Sequence, residues 1–317
     1  MAPNSSTSHP LSRFAILAAA FIALPLAHAA LDTAKIDRLT GLKGVWNEAE
    51  KVHKVSQPRT DLPVTVDGWT MPPFMGLTSW AAFTEGGKAE VMMAGDIVLF
   101  EDEVNPVMSA ALDGGLSVTA LHNHFFFDQP RVYFMHIGGE GTVQHLASGV
   151  KAVLAKQKEI RAAQPQPGKM FGTGFNPGKN AITGATIDVA LGTKGQANNG
   201  MFKVVIGRTT KMPCGCDMTK EMGVNTWAAF AGTNDNAVVD GDFAVLEDEL
   251  QPVLKTLRGG GINIVAIHSH MTHENPRILF LHYWGKGTTA ALTKTLKAAL
   301  DTQAQYIGGA PVPKPFP

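Results

Sequence analysis

The stretch at residues 95–142, GDIVLFEDEVNPVMSAALDGGLSVTALHNHFFFDQPRVYFMHIGGEGT, recurs without a gap at residues 241–288 as GDFAVLEDELQPVLKTLRGGGINIVAIHSHMTHENPRILFLHYWGKGT. The two share 19 identities in 48 positions at a constant offset of 146. Self-similarity of this kind marks tandem copies of one structural unit. The match continues upstream, where Trp80-Ala81-Ala82-Phe83 returns as Trp227-Ala228-Ala229-Phe230, and Ile36-Asp37 with Lys43-Gly44 returns as Ile187-Asp188 with Lys194-Gly195. Each copy is then about 135 residues, an ordinary domain size. Copy one is assigned to residues 31–163 and copy two to 181–317. Pro165, Pro167, Gly168, Pro177 and Gly178 make 164–180 a linker or surface loop between them.

Within a copy, residues 80–83 and 89–100 are short apolar runs bounded by glycine and charge, and they read as strands. Glu101-Asp102-Glu103 opens a helix to about residue 112, with acids at its positive end and Gly114-Gly115 stopping it. Residues 116–124 alternate, and 131–136 follow after six loop residues, giving a hairpin. Val143, Leu146, Val150, Val153 and Leu154 then recur at helical spacing over 142–162. Gly139-Glu140-Gly141 reads as a turn, and Trp80 and Trp227 read as core aromatics. The order strand, strand, helix, strand, strand, helix predicts an α+β fold, an antiparallel sheet with helices on one face. The two copies are expected to pack about a pseudo-two-fold axis.

Lys and Arg number 27, as do Asp and Glu, so no net field draws the chain to nucleic acid or to an anionic membrane. Arg13, the apolar run 14–26 and Ala27-His28-Ala29 form the three parts of a secretory signal over 1–29, with a mature chain from Ala30. That run is too short to span a bilayer. The expectation is a periplasmic or secreted protein without a membrane span after cleavage. Two cysteines, Cys214 and Cys216, stand in Met212-Pro213-Cys214-Gly215-Cys216. In extended chain, a disulfide between neighbours at i and i+2 closes only as a strained ring. A soft-metal pair and an incidental turn are favoured over a small disulfide ring.

The hairpin carries the candidate chemistry. Copy one has His122, His124 and His136, and copy two has His268, His270 and His282 at equivalent positions while the residues between them vary. By strand alternation, His122 and His124 continue the face of Leu116, Val118 and Ala120. A loop of odd length places His136 beside Ala120 and diagonal to His122, whereas an even one sends it to the other face. In the first case three imidazoles per copy reach one centre, and imidazole suits zinc first and copper second. Asp128 and Glu274 are equivalent loop carboxylates that could complete a coordination sphere or act as general base. Arg131 and Arg277 each follow a proline and could hold a substrate carboxylate or phosphate. Copy two has His273 where copy one has Phe127, so the two sites are not chemically equal. Against this stands the plain alternative, histidines that hydrogen-bond loop carbonyls at a strand end. The dispersed nuclease signature of two histidines and an asparagine is excluded, because the basic surroundings it needs are absent.

With Gly95-Asp96, then Glu101-Asp102-Glu103-Val104-Asn105-Pro106-Val107 and Thr119-Ala120-Leu121-His122-Asn123-His124, the chain resembles the LppY/LpqO family of exported bacterial proteins over nearly the whole mature length. That resemblance implies export and a domain of unknown function. The chain departs from the family's lipoproteins in having no acceptor cysteine after residue 29. The combined expectation is an exported metal-binding protein, with metal-dependent hydrolysis as one function. The alternatives are a non-catalytic metal- or ligand-binding protein and a structural module with buried histidines.

Overall fold

The computed structural model describes residues 30–172, 174 and 178–304. The expected signal at 1–29 lies outside them. Copy one runs α1 (Thr33–Thr40), β1 (Val45–Asn47), β2 (Val52–Pro58), β3 (Thr65–Val66), β4 (Trp69–Thr70), β5 (Thr78–Glu85), β6 (Val91–Phe100), α2 (Glu101–Asp113), β7 (Ser117–His122), β8 (Asp128–Gln129), β9 (Val132–Gly141) and α3 (Val143–Ala163). Copy two repeats this as α4 (Gly184–Leu191), β10 (Gln196–Asn198), β11 (Met201–Gly207), β12 (Thr210–Lys211), β13 (Asp217–Met218), β14 (Asn225–Gly232), β15 (Ala237–Leu246), α5 (Glu247–Gly259), β16 (Asn263–His268), β17 (Ile278–Gly287) and α6 (Thr289–Ala304). The α+β class and the duplication are as the repeat predicted. Among the described residues no helix is long and apolar enough to cross a membrane.

The two half-sheets join. One antiparallel sheet of 12 strands runs β1-β2-β5-β6-β9-β7-β16-β17-β15-β14-β11-β10, its centre formed where β7 meets β16 at Leu121 and Ile267. Alternation along β6 separates the two faces: Ile97 and Leu99 belong to the core that packs against the helices, while Val98 and Phe100 pack on the opposite side. Phe83 and Phe230, each fully buried in the helix-side core, contribute about 1.5–3 kcal/mol apiece by area. On the far side a thin loop layer, β3, β4 and β8 in copy one and β12 and β13 in copy two, covers part of the sheet.

Several expectations change. Gly139-Glu140-Gly141 is the end of β9, paired with 91–93, and not a turn. A Cβ on Gly139 would stand 2.9 Å from Leu146, so the glycine lets α3 lie close on the sheet. Cys214 and Cys216 form a disulfide, which the extended-chain argument disfavoured. The chain there is not extended: Gly215 has φ +80°, Gly215 donates to the Met212 carbonyl at 2.8 Å, and Met212 donates to that of Cys216 at 2.9 Å. That tight turn between β12 and β13 brings both sulfurs to one side.

The acids that open α2 also have a structural task. Glu103 is fully buried, accepts from the Phe100 N–H at 2.9 Å, and pairs with Arg59 at 2.6 Å and Arg161 at 2.9 Å. Glu249 repeats the arrangement with Arg208 and the Leu246 N–H. The third acid of each helix is thus a buried ionic anchor between the helix start and the sheet.

A β-bulge redirects the histidine strand. In β7, Val118 faces Ile137, but Ala120 faces His136, so Thr119 is an extra residue on one strand. In β16, Ile264 faces Tyr283 and Ala266 faces His282, with Val265 the extra residue. One inserted residue inverts the side-chain alternation that follows it. Leu116 and Val118 therefore stay in the helix-side core, as does Leu121, while Ala120 and His122 turn to the opposite face. The expectation that His122 continues the Leu116 face is corrected by this single residue.

Strands that pair at only one position leave backbone groups without ladder partners, and a buried junction must satisfy them otherwise. Asn105 on α2 donates to the Ile264 carbonyl at 3.0 Å and accepts from its N–H at 2.7 Å. Gln251 on α5 does the same for Val118, both bonds at 2.8 Å. Each copy thus clamps, with a side-chain amide, the residue just before the other copy's bulge.

Candidate metal centre

The bulge and the antiparallel register assemble the site. In copy two, Asp242 on β15 faces His282 on β17, which faces Ala266 on β16, and His268 follows one alternation later. All lie on the face away from the helices. The odd-loop register is the one present, so in each copy the third histidine sits diagonal to the first: ring centroids are 5.1 Å apart for His122–His136 and 4.8 Å for His268–His282. His122–His124 and His268–His270 are each 5.1 Å. His270 lies flat on Phe280 at 3.5 Å, as His124 does on Phe134 at 3.4 Å, which fixes the plane of both rings.

The ligand atoms of Asp242, His268 and His270 all lie within 4.8 Å of one another, and among the described residues this is the one such group. Its members differ from the expected three imidazoles, because the third is Asp242 and not His282. His268 Nε2 and His270 Nε2 are 3.1 Å apart, and His270 Nε2 is 3.5 Å from Asp242 Oδ2. Two atoms bound tetrahedrally to one zinc at about 2.0–2.1 Å stand about 3.3–3.4 Å from each other. The observed separations fall on either side of that chord. His270 Nδ1 lies 3.2 Å from the Gly223 carbonyl, which can only accept, so a neutral ring carries its proton on Nδ1 and turns the Nε2 lone pair to the centre. His282 Nδ1 lies likewise 3.3 Å from the Gly241 carbonyl.

Electrostatics single out Asp242. It is 3% exposed, and its Oδ1, shielded from solvent, has no hydrogen-bond partner in the protein. A buried carboxylate without compensation is costly, and a cation at this point supplies the compensation. Burial pushes the His268 imidazole below its ordinary pKa; Asp242 pulls the other way, and His282 and His270 add to the fall. His124 is lowered for the same first reason, with His122 and His136 adding and Asp96 opposing. Asp96 repeats the Asp242 position facing His136, is 9% exposed, and also has an unpartnered Oδ1.

The expected loop carboxylates lie elsewhere. Asp128 is buried and accepts from the Val132 N–H at 2.7 Å, and Glu274 accepts from that of Ile278 at 3.2 Å. Each closes the turn that contains a cis X–Pro peptide, Gln129-Pro130 and Asn275-Pro276. Arg131 and Arg277 are exposed and reach Glu101 at 3.5 Å and Glu247 at 3.7 Å. None of the four belongs to the group around Asp242. Sequence reasoning missed Asp96 and Asp242, although their signal was present: an acid inside an apolar strand run, repeated at the same place in both copies. Trp80 and Trp227 are half-buried on the site face and not core residues, with Lys54 and Lys203 over their rings at 4.2 and 4.1 Å.

A cavity of about 540 Å³ opens beside the copy-two group, with Asp242, His270 and Trp227 among its lining and Lys194, Lys203 and Lys220 around it. The family model described as Domain of Unknown Function (DUF1259) matches residues 34–156 and again 185–302. No curated protein matches the chain significantly. Among solved structures, a trimeric bacterial microcompartment shell protein, PduB, is similar at 11% identity and a TM-score of 0.20, covering 84% of this chain and 95% of its own. A likeness that low carries no argument about fold or function.

Proposed function

We propose, starting from the fact that the chain belongs to the DUF1259 family in two tandem copies, that it is an exported metal-binding protein whose principal centre is Asp242, His268 and His270 in copy two. The observation that carries this reading is the buried, unpartnered Oδ1 of Asp242 beside two imidazole nitrogens spaced as zinc ligands are. Three protein ligands, two of which, Asp242 and His270, line an open cavity, is the composition of a centre that admits water or a ligand, unlike a closed structural site. Zinc fits the mixed nitrogen and oxygen donors best, with copper second. His122, His124, His136 and Asp96 form the weaker counterpart in copy one, and His282 orients from beside the centre. Metal-dependent hydrolysis is the finer reading: a zinc-bound water at the open side would supply the nucleophile. Export and placement among the LppY/LpqO proteins are part of the proposal and rest on the 1–29 segment and the quoted motifs.

Elemental analysis of the purified chain tests the centre. About one zinc-class ion per chain is expected, lost in His268→Ala and Asp242→Asn and retained in His122→Ala. Because an ion bound only by the folded state stabilises it by mass action, a chelator should lower the melting temperature of wild type and not of His268→Ala. A native protein without metal, destabilised equally by His268→Ala with and without chelator, refutes the reading and leaves the histidines structural.

A further inference from the structure

The surroundings of the copy-two centre carry charge that the metal site itself does not need. Lys194, Lys203 and Lys220 line its cavity against two carboxylates, Asp242 at the floor and Glu221 at the mouth. Lys203 shares the Asp242 face: in the β11–β14 register it stands one alternation from Val205, which faces Trp227, and Trp227 faces Asp242. Its ammonium lies over the Trp227 ring. Lys194 reaches a largely buried Asp188 at 3.3 Å and Lys220 an exposed Glu221 at 3.2 Å; both lysines are themselves well exposed, and the Lys220 pair holds its cation weakly. With a divalent ion on Asp242, the floor of the cavity becomes cationic as well.

The corresponding wall of copy one is different. Lys220-Glu221-Met222, the short 3-10 turn before β14, has as its counterpart Pro73-Phe74-Met75 before β5, where Phe74 is 98% exposed. Lys43 and Lys54 match Lys194 and Lys203, so the charged turn, which brings Lys220 to the cavity together with Glu221, is what sets this wall of copy two apart.

We infer that the copy-two cavity receives a small oxyanion, a phosphate or a carboxylate, with one oxygen at the open side of the metal and its remaining charge on Lys203 and Lys220. This rests on the metal reading above and goes beyond it by naming the ligand class. Oxygen anions suit a metal of the zinc type, ammonium groups act as point charges for phosphate and carboxylate, and a cavity of this size admits a ligand of few heavy atoms. Copy one, with an apolar turn at the same place, lacks that selectivity.

Calorimetric titration of the full chain tests it, using inorganic phosphate in one arm and malonate in the other, each with zinc-loaded protein freed of excess ion and with chelated protein. Binding of at least one probe is expected to weaken about tenfold in Lys203→Gln/Lys220→Gln at unchanged zinc content, to recover in Lys203→Arg/Lys220→Arg, and to be unaffected by Lys54→Gln. Zinc-loaded protein that binds neither probe at millimolar concentration, or that binds equally in the Gln variant, overturns the inference while leaving the metal reading intact. Lysine-dependent anion binding by a chain that takes up no metal refutes the metal centre and overturns the anion's bond to it, leaving a site held by the lysines alone.

Discussion

Asn105→Ala removes the clamp that copy one places on copy two. Asn105 is 2% exposed and Ile264 1% exposed, so the truncation leaves one buried N–H and one buried carbonyl without the partners now 2.7 and 3.0 Å away. An orphaned buried group costs about 1–3 kcal/mol, giving about 2–6 kcal/mol for the pair. The small cavity left by the lost amide adds to that. Urea unfolding followed by far-UV circular dichroism measures it, with the midpoint shifted and the slope unchanged. The effect on the sites should be crossed. Asn105→Ala relaxes the residue before the Val265 bulge, and so should weaken metal at His268 and His270 in the other copy, whereas Gln251→Ala acts on the Thr119 bulge and His122. Zinc affinity by competition with a chromophoric chelator, below the unfolding transition, separates the two. Stability within about 0.5 kcal/mol of wild type in both variants, a change no larger than an ordinary surface substitution gives, refutes the clamp. An Asn105→Ala chain that weakens only its own copy's histidines refutes the crossed geometry.

Glu103→Ala should destabilise by about 1–3 kcal/mol, since it orphans the buried Phe100 N–H and takes one carboxylate from Arg59 and Arg161, which keep Asp61 and Asp102, and chemical denaturation reads this directly. The depressed pKa of His268 has a defined sign: below about pH 6.5 the unfolded chain takes up a proton there that the folded chain resists, so stability of chelated protein falls as pH drops from that value toward the lower folded pKa. A His268→Gln variant should lose this part of the pH dependence, and melting curves between pH 7 and 5 check it. Mass spectrometry of secreted or periplasmic material should find a mature N-terminus near Ala30, and an intact chain recovered from the cytoplasm contradicts export.

The long, strongly patterned elements were legible in the chain: the constant offset identified the duplication, and the apolar runs, the acids that open α2 and the helical spacing over 142–162 located β6, α2, α3 and the start of β9 within a few residues, while β9 runs on to Gly141. The edge strands β1 and β2 were not, because Val52–Pro58 is short, largely polar and ends in proline, and its pairing is decided by β5 beside it. Nor was the joining of the half-sheets, where the strands pair at one residue pair flanked by two side-chain amides and α2 packs against α5. For the site, the three histidines per copy were evident from their repetition, but their face depended on one extra residue in β7 and in β16. A bulge changes register without changing composition, so nothing local in Ser117–His122 announces it. Asp242 escaped notice for a related reason, since its role exists only across the β15–β17 register that brings it opposite His282.

The reciprocal clamp also bears on how such a chain can be divided. A copy expressed alone would carry a bulge whose backbone groups have lost their donor and acceptor, together with an open strand edge at β7 or β16, so the economical form for a single-repeat relative is a homodimer about the same axis. In this chain the axis is no longer exact: one side reaches across with asparagine and the other with glutamine, a side chain longer by one methylene. Fusion has allowed the halves to become unlike partners. A chain built from two first copies would place the shorter amide where the longer one now spans, and its halves would meet on a junction fitted for a different neighbour.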